Sequence, residues 1–167
     1  MKIKREAFVT EYITEALLMM MKKKAYKDIT ITEICTKAGV TRMSFYRNFE
    51  SKEDILRCWI TDITDRFLTV SGISYKNDSP KEYYVKLFTH MEQYKSICTA
   101  LYQADLIYLV KKQFDRVFIM IHHEDYDEYK SYFLSGGIYN VFLLWLINGA
   151  KESPEELAQR LDLILEK

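Results

Sequence analysis

From Thr41 to Lys52 the chain reads Thr-Arg-Met-Ser-Phe-Tyr-Arg-Asn-Phe-Glu-Ser-Lys. On a helix, this run turns Phe45 and Phe49 inward and leaves Arg42, Met43, Ser44, Tyr46, Arg47 and Asn48 on or near the outward side. A face that carries Arg, Tyr and Asn beside small hydroxyls suits the donor and acceptor pattern of a DNA major groove. On the residues alone, Tyr46 could also be a core aromatic beside Phe45, and Lys52 a solvated helix-start residue.

Such a face needs a short helix held rigidly at an angle to its neighbours. Thr30-Ile31-Thr32-Glu33 is a capping box: the Thr30 hydroxyl can accept from the third amide while the Glu33 carboxylate reaches back. It predicts a helix to about Ala38. Gly39 then permits the sharp reversal of a helix-turn-helix, Cys35 offers a small side chain where two helices cross, and Thr41 caps the second helix through Phe49. Ahead of the pair, Phe8, Tyr12, Ala16, Leu17, Met20 and Met21 recur at helical spacing and predict a helix from Arg5 to Lys24. Lys22, Lys23 and Lys24 would close it, opposite the negative end of its dipole. Behind the pair, Ser51-Lys52-Glu53-Asp54 caps a long helix to about Val70.

Charge agrees with this placement. The chain is neutral overall, but residues 1–52 hold eleven Lys and Arg against six Asp and Glu, which leaves the remainder correspondingly acidic. A basic head on an acidic body is the asymmetry expected of a protein whose one end meets a polyanion.

The run from Thr30 to Glu33, the stretch Val40 to Lys52 and the following Glu53-Asp54-Ile55-Leu56 together resemble the DNA-binding head of the TetR family of bacterial regulators, over about residues 5–60. The resemblance implies that Arg42 and Met43 enter the major groove, Arg42 facing guanine O6 and N7 and Met43 a thymine methyl. It implies that Thr41, Ser44, Tyr46, Asn48, Lys52 and Thr30 or Thr32 hold phosphates, with Arg47 able to do either. Phosphate contacts position the head, and base contacts specify the sequence. Two departures stand out. Ala25 occupies a position where family members usually carry Gly, and would cost about 1 kcal/mol if left-handed. The chain is also shorter than typical members, which argues against a large ligand cavity.

The remaining chain predicts helices over about 80–93, 95–101, 103–123, 126–148 and 154–166, with turn-forming residues clustered at 71–80. Domain boundaries are accordingly expected at 1–52 for the head and 53–167 for a regulatory and dimerisation body. Residues 141–147 are all apolar, so the helix that holds them needs cover on both sides, and Gly136 and Gly137 within it allow a close neighbour at a cost of about 1 kcal/mol each. Gly149 ends it, and Ser153-Pro154-Glu155-Glu156 opens the last helix. Val141, Leu144 and Trp145 with Leu157, Leu161 and Ile164 are the expected homodimer interface.

Other chemistries find little support. Three widely spaced cysteines form no CxxC pair, the adjacent His122 and His123 point about 100° apart on a helix, and no P-loop, nucleotide-binding glycine pattern, HExxH or serine elbow occurs. No metal, cofactor or catalytic residue is assigned. No apolar run is long enough to span a bilayer, and a cytoplasmic location is expected. The sequence thus predicts an all-α fold, with a three-helix helix-turn-helix head joined by a linking helix to a helical bundle. It predicts a non-enzymatic regulator that binds double-stranded DNA at a roughly palindromic operator as a homodimer, acting as a repressor released by a small-molecule or protein effector. A TetR-like activator or co-regulator under a protein partner, and more remotely a helical adaptor, are the alternatives.

Overall fold

The computed structural model describes residues 2–70, 79–122 and 127–165. Among them run nine α-helices: α1 Lys2–Met21, α2 Ile31–Ala38, α3 Arg42–Asn48, α4 Lys52–Val70, α5 Pro80–Gln93, α6 Lys95–Gln103, α7 Tyr108–His122, α8 Glu128–Ile147 and α9 Pro154–Leu165, with a 3-10 turn at Tyr26–Asp28 between α1 and α2. The protein is all-helical, with an N-terminal helix-turn-helix head (α1–α3) and a helical C-terminal body. The expected linker falls largely on 71–78, and the reading against a metal at His122-His123-Glu124-Asp125 largely on 123–126; both stretches lie outside the described residues.

The helix ends follow local chemistry. Thr30 accepts from the Glu33 amide at 3.2 Å while Glu33 accepts from the Thr30 amide at 2.8 Å. Gly39 ends α2 with φ of 67°, in the left-handed region where a side chain would be strained. Ser79 and Glu82 form a second capping box at α5, and Ser153 and Glu156 a third at α9. Ala25, by contrast, is extended at φ −60° and ψ 138°, so the missing glycine carries no left-handed cost. The three lysines after Met21 form the turn that follows α1 instead of its last helical turn, with the Lys23 and Lys24 amides both donating to the Met20 carbonyl.

One buried apolar cluster runs through the described residues, from Ile13, Leu17 and Phe45 in the head, through Ile55, Leu56 and Ile60 of α4, to Phe88, Phe118 and Phe142 in the body. On α1 the buried edge is Ile13, Ala16, Leu17 and Met21, whereas Phe8 and Tyr12 are exposed. Apolar residues occupy more than one face of α1, so periodicity alone misplaced its first turns. In the body α7 packs along α8, α5 along α9, and α4 lies against both α1 and α7.

Candidate nucleic-acid interface

Two backbone devices fix the presented helix, α3. Its N-terminus is capped by the Thr41 hydroxyl, which accepts from the Ser44 amide at 3.1 Å. Its inner side is anchored by Phe45, fully buried, and Phe49. Residues one position either side of Phe45 cannot share its direction on a helix, and this puts the predicted outward residues where the sequence placed them. Arg42 and Arg47 are exposed, Met43 is 74% exposed, and Tyr46 stands half out of the surface. The Arg42 guanidinium lies 5.9 Å from the Tyr46 ring centre, within cation–π range, and Tyr46 in turn meets Phe45 edge-on. The Arg42 fork therefore rests on an aromatic platform that is itself seated on the core.

The remaining predicted contacts divide into exposed groups and groups already engaged. Ser44 and Asn48 are half-buried, and the Asn48 amide donates to the Ser44 carbonyl at 2.7 Å. Thr32 is exposed on the first turn of α2. The Thr30 hydroxyl works within its own capping box, donating to Glu33 at 2.8 Å. Lys24 adds a charged donor to the same carboxylate at 2.7 Å. With Lys24 and both Thr30 donors on it, the Glu33 carboxyl is held down to about 2, well below the usual carboxylate range.

Lys52 is the group that sequence reasoning read least completely. Its ammonium donates to the carbonyl of Tyr26 at 2.8 Å and of Ile29 at 2.5 Å, and lies 4.3 Å from the Tyr26 ring centre. Desolvation lowers its pKa, opposed by the nearby Asp28 carboxylate. An ammonium has three protons, so one stays available for a phosphate after two serve the turn before α2. These partners are 23 and 26 residues away in sequence, beyond the reach of any local motif.

The expected dimer residues separate cleanly. Trp145 is 2% exposed and Leu161 3%, and Leu157 is likewise buried inside a single chain. The Trp145 indole donates to the Glu152 carbonyl at 2.9 Å, closing the α8–α9 corner. These three are core residues with no surface left for a twin, because α8 and α9 pack against their own α7 and α5. Val141 is half-buried, while Leu144 at 60% and Ile164 at 62% face outward. With Leu144 on α8 stand Tyr129, Phe133 and Ile147, also exposed, at roughly helical repeats. Beside them, a Cβ added to Gly136 or Gly137 would meet nothing within 4 Å.

A family model described as bacterial regulatory proteins, tetR family, matches residues 13–57, and a second, described as transcriptional regulator C-terminal region and likewise of TetR type, matches residues 78–167. The chain belongs to the TetR family. A TetR transcriptional regulator from Streptococcus agalactiae 2603V has a similar crystal structure, with a TM-score of 0.72 over 99% of this chain and 98% of that one. At 20% identity this likeness speaks for the fold. No curated protein matches the chain. As a TetR-family member the protein is a DNA-binding transcriptional regulator, and α3 is the second helix of its helix-turn-helix. Among the described residues no helix is long and apolar enough to cross a membrane.

Proposed function

We propose that this TetR-family protein is a homodimeric repressor that grips a roughly palindromic operator with two copies of α3 and is released when an effector occupies the body. The observation that carries the DNA-reading part is the exposure of Arg42 and Met43 on a helix whose opposite side is locked by the buried Phe45. In this reading Arg42 pairs with guanine O6 and N7, and Met43 touches a thymine methyl. Thr32, Thr41, Ser44, Tyr46, Asn48 and Lys52 line the approach to the backbone, and Arg47 can serve either base or phosphate.

Dimerisation is supported by the exposed apolar stripe of α8 together with Leu163 and Ile164 on α9. Two such faces related by a twofold axis form an isologous four-helix contact. A twofold dimer reads two half-sites at one fixed separation, so any shift in head spacing weakens the grip.

The test is a genome-wide footprint of the purified protein, followed by anisotropy titrations on the recovered site and its isolated half. A paired-half-site sequence bound far more tightly than either half is the expected result. Equal affinity for the site and for random DNA of the same length would refute the reading.

A further inference from the structure

The body holds a partly closed cavity of about 70 Å³ between α4, α5, α6 and α7. Its walls include the aromatic rings of Trp59, Phe67, Phe114 and Phe118, and among the described residues no Asp, Glu, Lys or Arg lines it. The polar side chains there are few and neutral. The Thr64 hydroxyl donates to the Ile60 carbonyl at 2.7 Å, the Gln113 amide donates to the Thr61 hydroxyl at 3.0 Å, and the Gln113 carbonyl accepts from the Arg116 guanidinium at 2.8 Å, which leaves that carbonyl a single further acceptor position. His90 stacks on Phe67 with ring centres 4.2 Å apart, and Tyr94 meets it edge-on at 5.1 Å. Ile63, Phe67, His90 and Tyr94 also line an open groove on the outer side of the cavity, so this stack stands at its mouth.

Resting on the effector-controlled reading above, we infer that the effector is a small, uncharged, flat apolar compound, such as a single substituted aromatic ring with at most one hydrogen-bonding group, which enters past the Phe67–His90 stack. Three observations select that class. The aromatic walls match the face and edge of a ring. A charged group inside would be desolvated with no counter-charge, and the dryness that enforces this holds the His90 imidazole down to about 4, through burial alone. Two cations, Arg66 and Lys86, line the outer groove and neither lines the cavity itself; Arg66 is paired with Asp62 at 2.5 Å.

Size supplies the link to regulation. An apolar cavity of roughly 150 Å³ takes up benzene, about twice the volume present here. A ring can therefore be housed only if the walls part. One wall is α4, whose first turn braces the head through Lys52, and the opposite wall is α7, tied to α4 through Gln113–Thr61 and the 2.6 Å Arg116–Asp65 ion pair. A ligand that fitted without moving anything would bind both states alike and control nothing.

The full-length protein is tested with toluene, indole and benzyl alcohol, and with benzoate as the charged counterpart, by thermal shift and by anisotropy on the operator. Expected are saturable stabilisation by the neutral rings, a tenfold or greater change in operator affinity at saturation, and no response to benzoate at equal concentration. Val110 and Val117 of α7 also line the cavity, and Val117→Phe and Val110→Phe, each filling it, should abolish the response while circular dichroism and operator binding persist. Tighter binding of benzoate than of toluene, or binding that survives both filling variants, would overturn the proposal. So would silence of all neutral probes with operator binding intact, an outcome that leaves the repressor reading standing. Loss of operator binding by the unliganded protein would instead sink that reading.

Discussion

The ammonium of Lys52, the first residue of α4, closes on the carbonyl of Ile29, 23 residues earlier and one residue before the Thr30 cap of α2. The contact holds the entry to the helix-turn-helix against the helix that leads into the body. Lys52 is thus a structural clasp whether or not it also meets a phosphate. Lys52→Met keeps the aliphatic stem but leaves the Tyr26 and Ile29 carbonyls without their charged donor, and should cost about 1–3 kcal/mol in chemical denaturation. If the third proton serves DNA, the same variant weakens specific and random sequences alike and lowers the salt dependence of binding by about one phosphate. Unchanged stability would refute the clasp.

Arg42→Ala should cost about 1–3 kcal/mol on the operator and relax preference at one base position, with little loss on random DNA. Arg42→Lys tests the geometry of the fork: it keeps the charge but loses the bidentate reach, so it should leave random-sequence affinity unchanged and still fail to restore operator preference. The measurement is anisotropy against a set of single-base operator variants. Parallel losses on operator and random DNA for Arg42→Ala would move Arg42 from the bases to the backbone.

The head was legible in the sequence because its determinants are local. Thr30 and Glu33, Gly39 and Thr41 each act within four residues, and the alternation of Phe45 with Arg42, Met43 and Tyr46 is a helical phase that can be read directly. What stayed hidden depends on the third dimension. The Lys52 clasp and the Gln113–Thr61 link join residues 23 to 52 positions apart. Trp145, Leu157 and Leu161 carried the pattern of an interface, but a pattern states only that a face is apolar. Whether α5 and α7 or a second chain covers that face is decided by packing. Apolar residues all round α8 left its phase undetermined, as did those on α1 around Phe8 and Tyr12.

His90 makes the body sensitive to acid in a defined window. Burial lowers its pKa from 6.5 in the open chain to about 4 in the fold. Between those values the unfolded chain binds a proton that the native protein excludes, so stability falls as pH drops from about 6.5 towards 4 and is fully present above that range. His90→Phe should remove this part of the pH dependence while retaining the stack on Phe67. A His90 ring resonance that titrates near 6.5 in the folded protein would contradict the burial argument.

Two leucines on the last two helices separate dimer from core. Leu161 is buried within one chain, so Leu161→Glu places an uncompensated charge in the α5–α9 contact and should unfold the body at ordinary temperature. Leu144 is exposed in the isolated chain, and a glutamate there can remain solvated when the chain is alone. In a twofold dimer, however, Leu144→Glu on both copies brings two carboxylates to one apolar contact, favouring dissociation with the helical fold intact. Sedimentation at micromolar concentration should therefore show a dimer for the unmodified protein and a folded monomer for Leu144→Glu. Its operator affinity should fall by at least tenfold because the second head no longer binds as a tethered partner, whereas affinity for an isolated half-site should hardly change. An unmodified protein that sediments as a monomer and binds half-site and full site equally would remove the α8–α9 dimer and the palindromic operator together, since both depend on the same twofold axis.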